Sequence, residues 1–290
     1  MLVAVPANSG ADIVARAVAQ KLTQRWDRPV VIDNRAGAGG TIAMGLVAQA
    51  DPDGYTFLVG SVGLVATATL LKKVPFDVRL AYEPIVQMTA NPYLLIANLS
   101  LPVISVEDLI AYAKSKPGAL NYASSGNGSP THLGMELFKS MAGVSMVHVP
   151  YKGVVQGLTD LIGGQIQVLF CSAVTAMPYI KSGKVKALAA TSRTRSAAFP
   201  MLPTVVESGL PGFEFTAAYA LFAPAGTPQP IIEALSDAVI AIIQLPDIRK
   251  KLAAEGAEAA NPASAGEFRN TFLREVDKWA TFLKTTGIKI

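Results

Sequence analysis

The chain has 290 residues, 51% of them hydrophobic and 16% charged, with a net charge of +4. That composition is globular, too apolar for a disordered chain, and long enough for one large or two medium domains with a sizeable core. The positive balance is mild and no basic run is interleaved with aromatics, which argues against a nucleic-acid partner; Lys72-Lys73 and Arg249-Lys250-Lys251 read as solvated faces.

No apolar run reaches the ~18–20 residues that a membrane helix needs. No export leader is visible ahead of Leu2-Val3-Ala4-Val5, and the single cysteine, Cys171, leaves no internal disulfide.

In chain order, short apolar runs alternate with amphipathic stretches. Strands are expected at 2–5, 29–33 and 56–60, and helices at 13–25 and 43–50, with Ile13, Val14, Ala17, Val18 and Leu22 at helical spacing. A second unit opens near Leu99. Ser105 with Asp108 is spaced like a capping box for a helix through Ala113, and Ser129-Pro130 reads as an N-cap followed by proline in the first turn. Leu133, Leu137, Phe138 and Met141 continue that helix, and strands are expected at 120–123, 147–149, 168–170 and 185–190, with a helix around 158–162. The chain reads as extended again over 215–222. Thr227 is placed to cap a helix from Pro228, and Ser264 with Glu267 forms a capping box for a last helix whose stripe is Phe268, Phe272, Val276, Trp279 and Leu283. Alternating strand and helix implies α/β units with parallel sheets. The expected division is 1–98 plus 220–290 as one discontinuous lobe and 99–219 as an inserted one.

Enzyme chemistry finds little support. The two histidines, His132 and His148, carry no HExxH or CxxC partner set, so no metal is expected. Ser124, Ser125 and Ser129 lie near His132, yet no Gly-x-Ser-x-Gly elbow surrounds them, and serines before a helix are normally caps. Gly37-Ala38-Gly39-Gly40 fails the dinucleotide fingerprint because Ile42 stands where its third glycine belongs. No cofactor is expected.

Two segments remain, each leaving the carboxyl end of a strand and entering a helix through small polar residues. One is Val5 to Asp12, with Ala7, Asn8, Ser9 and Gly10 in the loop; the other is Ala123 to His132. Open α/β sheets bind ligands at this edge, and helix starts present unpaired N–H groups suited to an anion. Asp12 reads mainly as a structural carboxylate at a helix start, with Arg16 one turn on as its partner.

These residues resemble the Bug family, the extracytoplasmic solute receptors of tripartite tricarboxylate transporters. The matching runs, in order, are Gly10 to Arg16, Asn34 to Thr41, Asp51 to Thr56, Tyr122 to Ser129, His148 to Gly153 and Ala223 to Pro228. The resemblance implies a two-lobed periplasmic-binding-protein fold of type II with a ligand cleft between the lobes. It implies a binding protein, not an enzyme, working in the periplasm. Its partners would be a small carboxylate (mono-, di- or tricarboxylate, aliphatic or aromatic) and integral-membrane permease subunits.

Carried onto this sequence, the expected ligand contacts are Ala7, Asn8, Ser9, Gly10 and Asp12, then Ser61 and Gly63 after the third strand. In the second lobe they are Ser125, Gly126, Asn127, Gly128, Ser129, Thr131 and His132, with Lys152 and Gly153 beside them. Cys171 stands where the family often has Asp, which leans the reading away from ligands with an ammonium group, and Tyr219 stands where the family often has an aromatic. The other readings are a ligand sensor that presents its closed form to a signalling partner, and a serine hydrolase built on Ser125 or Ser129 with His132.

Overall fold

In chain order the elements begin with β1 (Leu2–Val3), α1 (Gly10–Trp26), β2 (Asp33–Asn34), α2 (Thr41–Ala48), β3 (Leu58–Ser61), α3 (Val62–Thr67), α4 (Val78–Ala81) and β4 (Tyr82–Gln87). They continue with β5 (Asn91–Ala97), α5 (Val106–Ser115), β6 (Asn121–Ser124), α6 (Pro130–Ala142), β7 (Val147–Pro150), α7 (Val154–Ile162), β8 (Val168–Ser172), α8 (Ala173–Lys181), β9 (Lys186–Ala190) and β10 (Thr216–Ala217). The chain closes with β11 (Tyr219–Pro224), α9 (Gln229–Ile243), α10 (Pro246–Ala254) and α11 (Ala265–Thr286). This computed structural model describes residues 1–68, 74–196, 199–254 and 257–286; the run Lys72-Lys73 lies outside them.

Two compact units result. The first holds the described residues of Met1–Ala90, Ala217–Ala254 and Glu258–Ile290; the second holds those of Asn91–Thr216 together with Ala257. The crossings, at 90/91 and 216/217, come eight and three residues ahead of the 98/99 and 219/220 positions suggested by the sequence. The reason is pairing: Tyr93–Ala97 of β5 already bond to β8, whereas Tyr219 already pairs with Ser61.

The first unit carries a five-stranded sheet in the order β2-β1-β3-β11-β4. Its three leading strands are parallel, and the returning β11 runs antiparallel between β3 and β4. Pairing of β2 is confined to Asp33–Asn34 rather than 29–33, since Pro29 has no N–H and the Val30 N–H goes to Thr23 Oγ1 at 3.0 Å. Helix α1 buries Val14, Ala15, Val18 and Leu22 and stops at Asp27, whose φ of 50° is left-handed. On α11 the expected stripe is buried at Phe268, Phe272, Val276 and Trp279, and Phe222 of β11 meets the rings of Phe268 and Phe272 at 5.9 and 5.3 Å. The Ser264–Glu267 capping box forms in both directions. Thr227 does not cap α9; its hydroxyl donates to Pro224 O at 2.8 Å and closes the preceding turn instead.

The second unit carries a six-stranded sheet in the order β10-β5-β8-β6-β7, with β9 on β5. Strands β6, β7 and β8 are parallel, and β5 is antiparallel to β8 and β9. Alternation along β8 sends Phe170 to one face, among the rings of Phe138, Phe213 and Phe215, and Leu169 and Cys171 to the other, among Leu94, Leu158, Leu161 and Ala176. Ser105 and Ser129 cap α5 and α6 as expected.

Gly134 of α6 lies directly against the ring layer: a Cβ there would stand 2.5 Å from Phe215 Cε1. Phe215 cannot retreat, since its ring stacks on Tyr93 at 4.6 Å and leans on Phe170. Gly134→Ala gains about 1 kcal/mol of helix propensity but overpacks the layer by typically 1–3 kcal/mol. Urea unfolding of the variant is expected to show a net loss of up to about 2 kcal/mol.

Candidate functional site

In the first unit the carboxyl ends of β1 and β3 lead to the starts of α1 and α3. The loop after β1 turns on Asn8, held at φ 63°. What holds it is Asp12, which is 0% exposed. Its Oδ2 accepts the Asn8 N–H at 2.8 Å and the Arg16 Nε–H at 2.9 Å, and its Oδ1 accepts Asn34 Nδ2–H at 2.9 Å. Asn34 also donates to Val5 O and accepts from Arg16 Nη2, which ties the ends of β1 and β2 to the helix. Burial alone raises the Asp12 pKa, but the hydrogen bonds from Arg16, Asn34 and Asn8 outweigh it and the net direction is down.

The carboxylate is therefore turned back into the protein. Ser9 stands at the N-cap, yet its hydroxyl donates to Pro6 O at 2.7 Å and makes no cap to the helix. The first-turn N–H groups of Gly10, Ala11 and Asp12 are thus left with no side-chain cap although all three residues are buried. Tyr219 stands over them: a Cβ on Gly10 would lie 2.5 Å from its hydroxyl oxygen. Its backbone pairs with Ser61, and the Val62 N–H at the start of α3 donates to Ala218 O at 2.7 Å. Gly10, Ser61 and Tyr219 are thus brought to one edge, with Ala7, Asn8 and Ser9 in the loop beside them and Gly63 in the first turn of α3.

The second unit solves the same turn with neutral groups. Ser129 Oγ accepts the His132 N–H at 3.3 Å and caps α6. Thr131 Oγ1 accepts the Ser125 N–H at 2.9 Å and meets the Ser125 and Ser129 hydroxyls at 3.1 and 3.2 Å. Gly126 N–H donates to Ser124 Oγ at 3.1 Å, and Gly128 N–H to His132 Nδ1 at 3.0 Å. Gly126 and Gly128 flank Asn127 with φ of 119° and 71°, which only glycine adopts without strain. Lys152 is exposed and Gly153 starts α7 without a side-chain cap; their loop adjoins this one, since a Cβ on Gly126 would touch Tyr151 O at 3.4 Å.

Cys171 is a correction to the sequence reading. It is 0% exposed in the apolar layer beneath α7 and α8, and burial pushes its thiol up to about 12. It faces no loop, so the argument against an ammonium group that rested on it falls away. Its neighbour Ser172 is the strand-end residue at this edge, capping α8 by accepting the Thr175 N–H. Ser125 and Ser129 make no bond to the His132 ring. The Ser–His contact present is Ser124 Oγ to His148 Nε2 at 2.6 Å, with Ser124 fully buried.

The residues that sequence reasoning did not place at the site, Asn34, Ser124 and His148, all act from beneath the loops. Their signal was available: each sits inside one of the six family-like runs. Among the described residues no cluster of three or more His, Cys, Asp and Glu could hold a metal ion.

Removing the Asp12 carboxylate strips the acceptor from two part-buried bonds, those of the Asn8 N–H and Asn34 Nδ2–H, and leaves Arg16 bonded to Asn34 without its charge partner. Asp12→Ala is expected to cost about 2–4 kcal/mol in urea unfolding at neutral pH. Burial, then the stacked His132, hold His148 down to about 4, from an ordinary 6.5. The unfolded chain therefore takes up a proton that the folded chain refuses, and stability falls as pH drops from 6.5 towards 4. His148→Phe, which keeps a ring in the stack, is expected to flatten the decline over that window, as read by urea midpoints.

Residues 14–288 match the family model described as "Tripartite tricarboxylate transporter family receptor". Protein BugT of Bordetella pertussis is 33% identical over 292 residues, covering 100% of this chain and 89% of that protein. Among solved structures, Rpa4515 of R. palustris with adipate superposes with a TM-score of 0.90 at 36% identity, covering 99% of this chain and 96% of that one. The periplasmic binding protein BugD gives 0.89 at 33% identity, covering 100% and 97%. MatC from Rhodopseudomonas palustris with bound malate gives 0.86 at 33%, covering 96% of each. The fold is that of the periplasmic binding proteins, and the expected resemblance holds over the whole chain. With a strand-end loop and helix start at the edge of each sheet and this match along its length, the chain belongs to the tripartite tricarboxylate transporter receptor family, whose members are solute-binding proteins and not enzymes.

Proposed function

We propose that this receptor captures a small carboxylate in the periplasm and delivers it to the membrane permease of its transport system. The observation that carries the ligand class is the buried first turn of α1, where Gly10, Ala11 and Asp12 present N–H groups that Ser9 does not cap. Such a turn carries partial positive charge and directed donors, which suits a carboxylate. The negative charge nearest to it, on Asp12, is already matched by Arg16, Asn34 and Asn8. The neighbouring Tyr219 and Ser61 add hydroxyl groups at the same edge. The relatives solved with adipate and with malate support the same ligand class. Periplasmic placement follows relatives described as periplasmic, and the permease follows the family's name.

The test is thermal melting of refolded protein against adipate, malate, aromatic and amino acids, and matched uncharged amides. A ligand at a hundred times its dissociation constant adds about 2.7 kcal/mol of stability. An upward shift with an acid and none with its diamide is expected; equal shifts with both, or none with any acid, would refute the carboxylate reading. Gly10→Ala drives a methyl group into the Tyr219 hydroxyl beside the open amides. Calorimetric titration is expected to show at least about tenfold weaker binding, the scale of one lost hydrogen bond to a charged group.

A further inference from the structure

Behind the loop of residues 125–129 three flat rings form a column. His132 and His148 stack at 4.0 Å and 10°, and His148 stacks on Tyr122 at 4.9 Å and 17°. The column is tied to the loop at two points. Ser124 Oγ, held by His148 Nε2, accepts the Gly126 N–H, and His132 Nδ1 accepts the Gly128 N–H. A nitrogen that accepts an amide proton carries none of its own, so His132 is neutral with its proton on Nε2.

We propose that His132 is a positioning residue of this loop: its unprotonated Nδ1 latches the Gly128 amide, and protonation of the ring opens the latch. A doubly protonated ring would set N–H against N–H at the 3.0 Å now spanned by the hydrogen bond. The groups facing the ring are Tyr122 from β6, His148 from β7, and Glu136 and Lys139 from α6. Glu136 accepts the Tyr122 hydroxyl and pairs with Lys139 at 2.5 Å, so its charge is largely matched. Burial, ahead of these charges, holds the His132 pKa below its ordinary 6.5, which keeps the latch closed at neutral pH. With Gly126 and Gly128 both at positive φ, the loop has little backbone preference of its own once the latch opens.

The effect on affinity rests on the reading of this loop as a ligand surface; the latch itself does not. The test uses the full chain labelled with ¹⁵N and compares it with His132→Asn, whose Oδ1 can take the place of Nδ1, and His132→Leu, which has no acceptor. At pH 7.5 the His132 ring is expected as the Nε2–H tautomer. The Gly128 amide should shift with the ring below pH 6.5, and should exchange at least about tenfold faster in His132→Leu but not in His132→Asn. An Nδ1–H tautomer, or a Gly128 amide indifferent both to pH and to His132→Leu, would overturn the proposal.

Affinities for adipate and malate are read between pH 7.5 and 5 in parallel. The wild type is expected to weaken about five- to tenfold more than His132→Asn, whose profile carries the titration of the ligand itself. Latch signals as expected with no such difference in affinity would uphold the positioning role and refute the loop's part in binding.

Discussion

A helix that begins where a buried strand ends brings with it amide N–H groups that no helical carbonyl can reach. Much of the polar architecture at the loops of this protein answers that constraint, and the two units answer it differently. In the first, one ionised carboxylate does the holding. Asp12 gathers Asn8, Arg16 and Asn34, fixes the loop before α1, and leaves the first-turn amides of that helix unclaimed by side chains. In the second, the loop amides are claimed one by one by Ser124, Ser129, Thr131 and His132, all uncharged. The first arrangement preserves a field that favours an anion. The second gives up most of its donors in exchange for a defined loop shape.

That difference bears on how one fold accommodates different solutes. A surface built from main-chain amides recognises the carboxylate and is indifferent to the rest of the molecule. Discrimination must then come from the contour of the loops around it, which is set by glycine dihedrals and by the groups beneath. Relatives at 36% and 33% identity keep the fold at TM-scores of 0.90 and 0.86 while one was solved with adipate and the other with malate. Loop contour can change without touching the sheets, since Asn127 is exposed whereas Gly134 and Phe215 are packed against each other in the core.

The sequence disclosed what depends on short-range patterns. The stripes of α1 and α11, the caps at Ser105, Ser129 and Ser264, and the Asp12–Arg16 pair are all decided within a few residues. Strands β4 and β5 were not read, because Pro84 and Pro92 interrupt them. Pro84 is tolerated on an edge strand at the point where the register with β11 shifts, a circumstance that only the assembled sheet reveals. Thr227 satisfied the pattern for a cap, but the N-cap position falls to Pro228 and the Thr227 hydroxyl donates back to Pro224 O. Cys171 was one residue away from the strand end, and in a strand one residue decides between the loop and the core. Asn34 and His148 act on the loops across 22 and 24 residues of sequence, a reach that no local pattern contains.

The two supports also separate by charge. Asp12 is stabilising while ionised, so its contribution is complete above its ordinary pKa of 3.8 and is lost only as pH falls further. The histidine column is stabilising while neutral, and the unfolded chain draws protons towards it from 6.5 downward. Both fail in acid, but for opposite reasons and in successive windows. Between them lies a range in which the loop of the second unit loosens while that of the first stays fixed by its carboxylate. A receptor whose first unit secures a helix start with a charge, and whose second secures its loop with neutral rings, thus keeps the uncapped amides of α1 fixed over a range in which the loop before α6 is already adjustable.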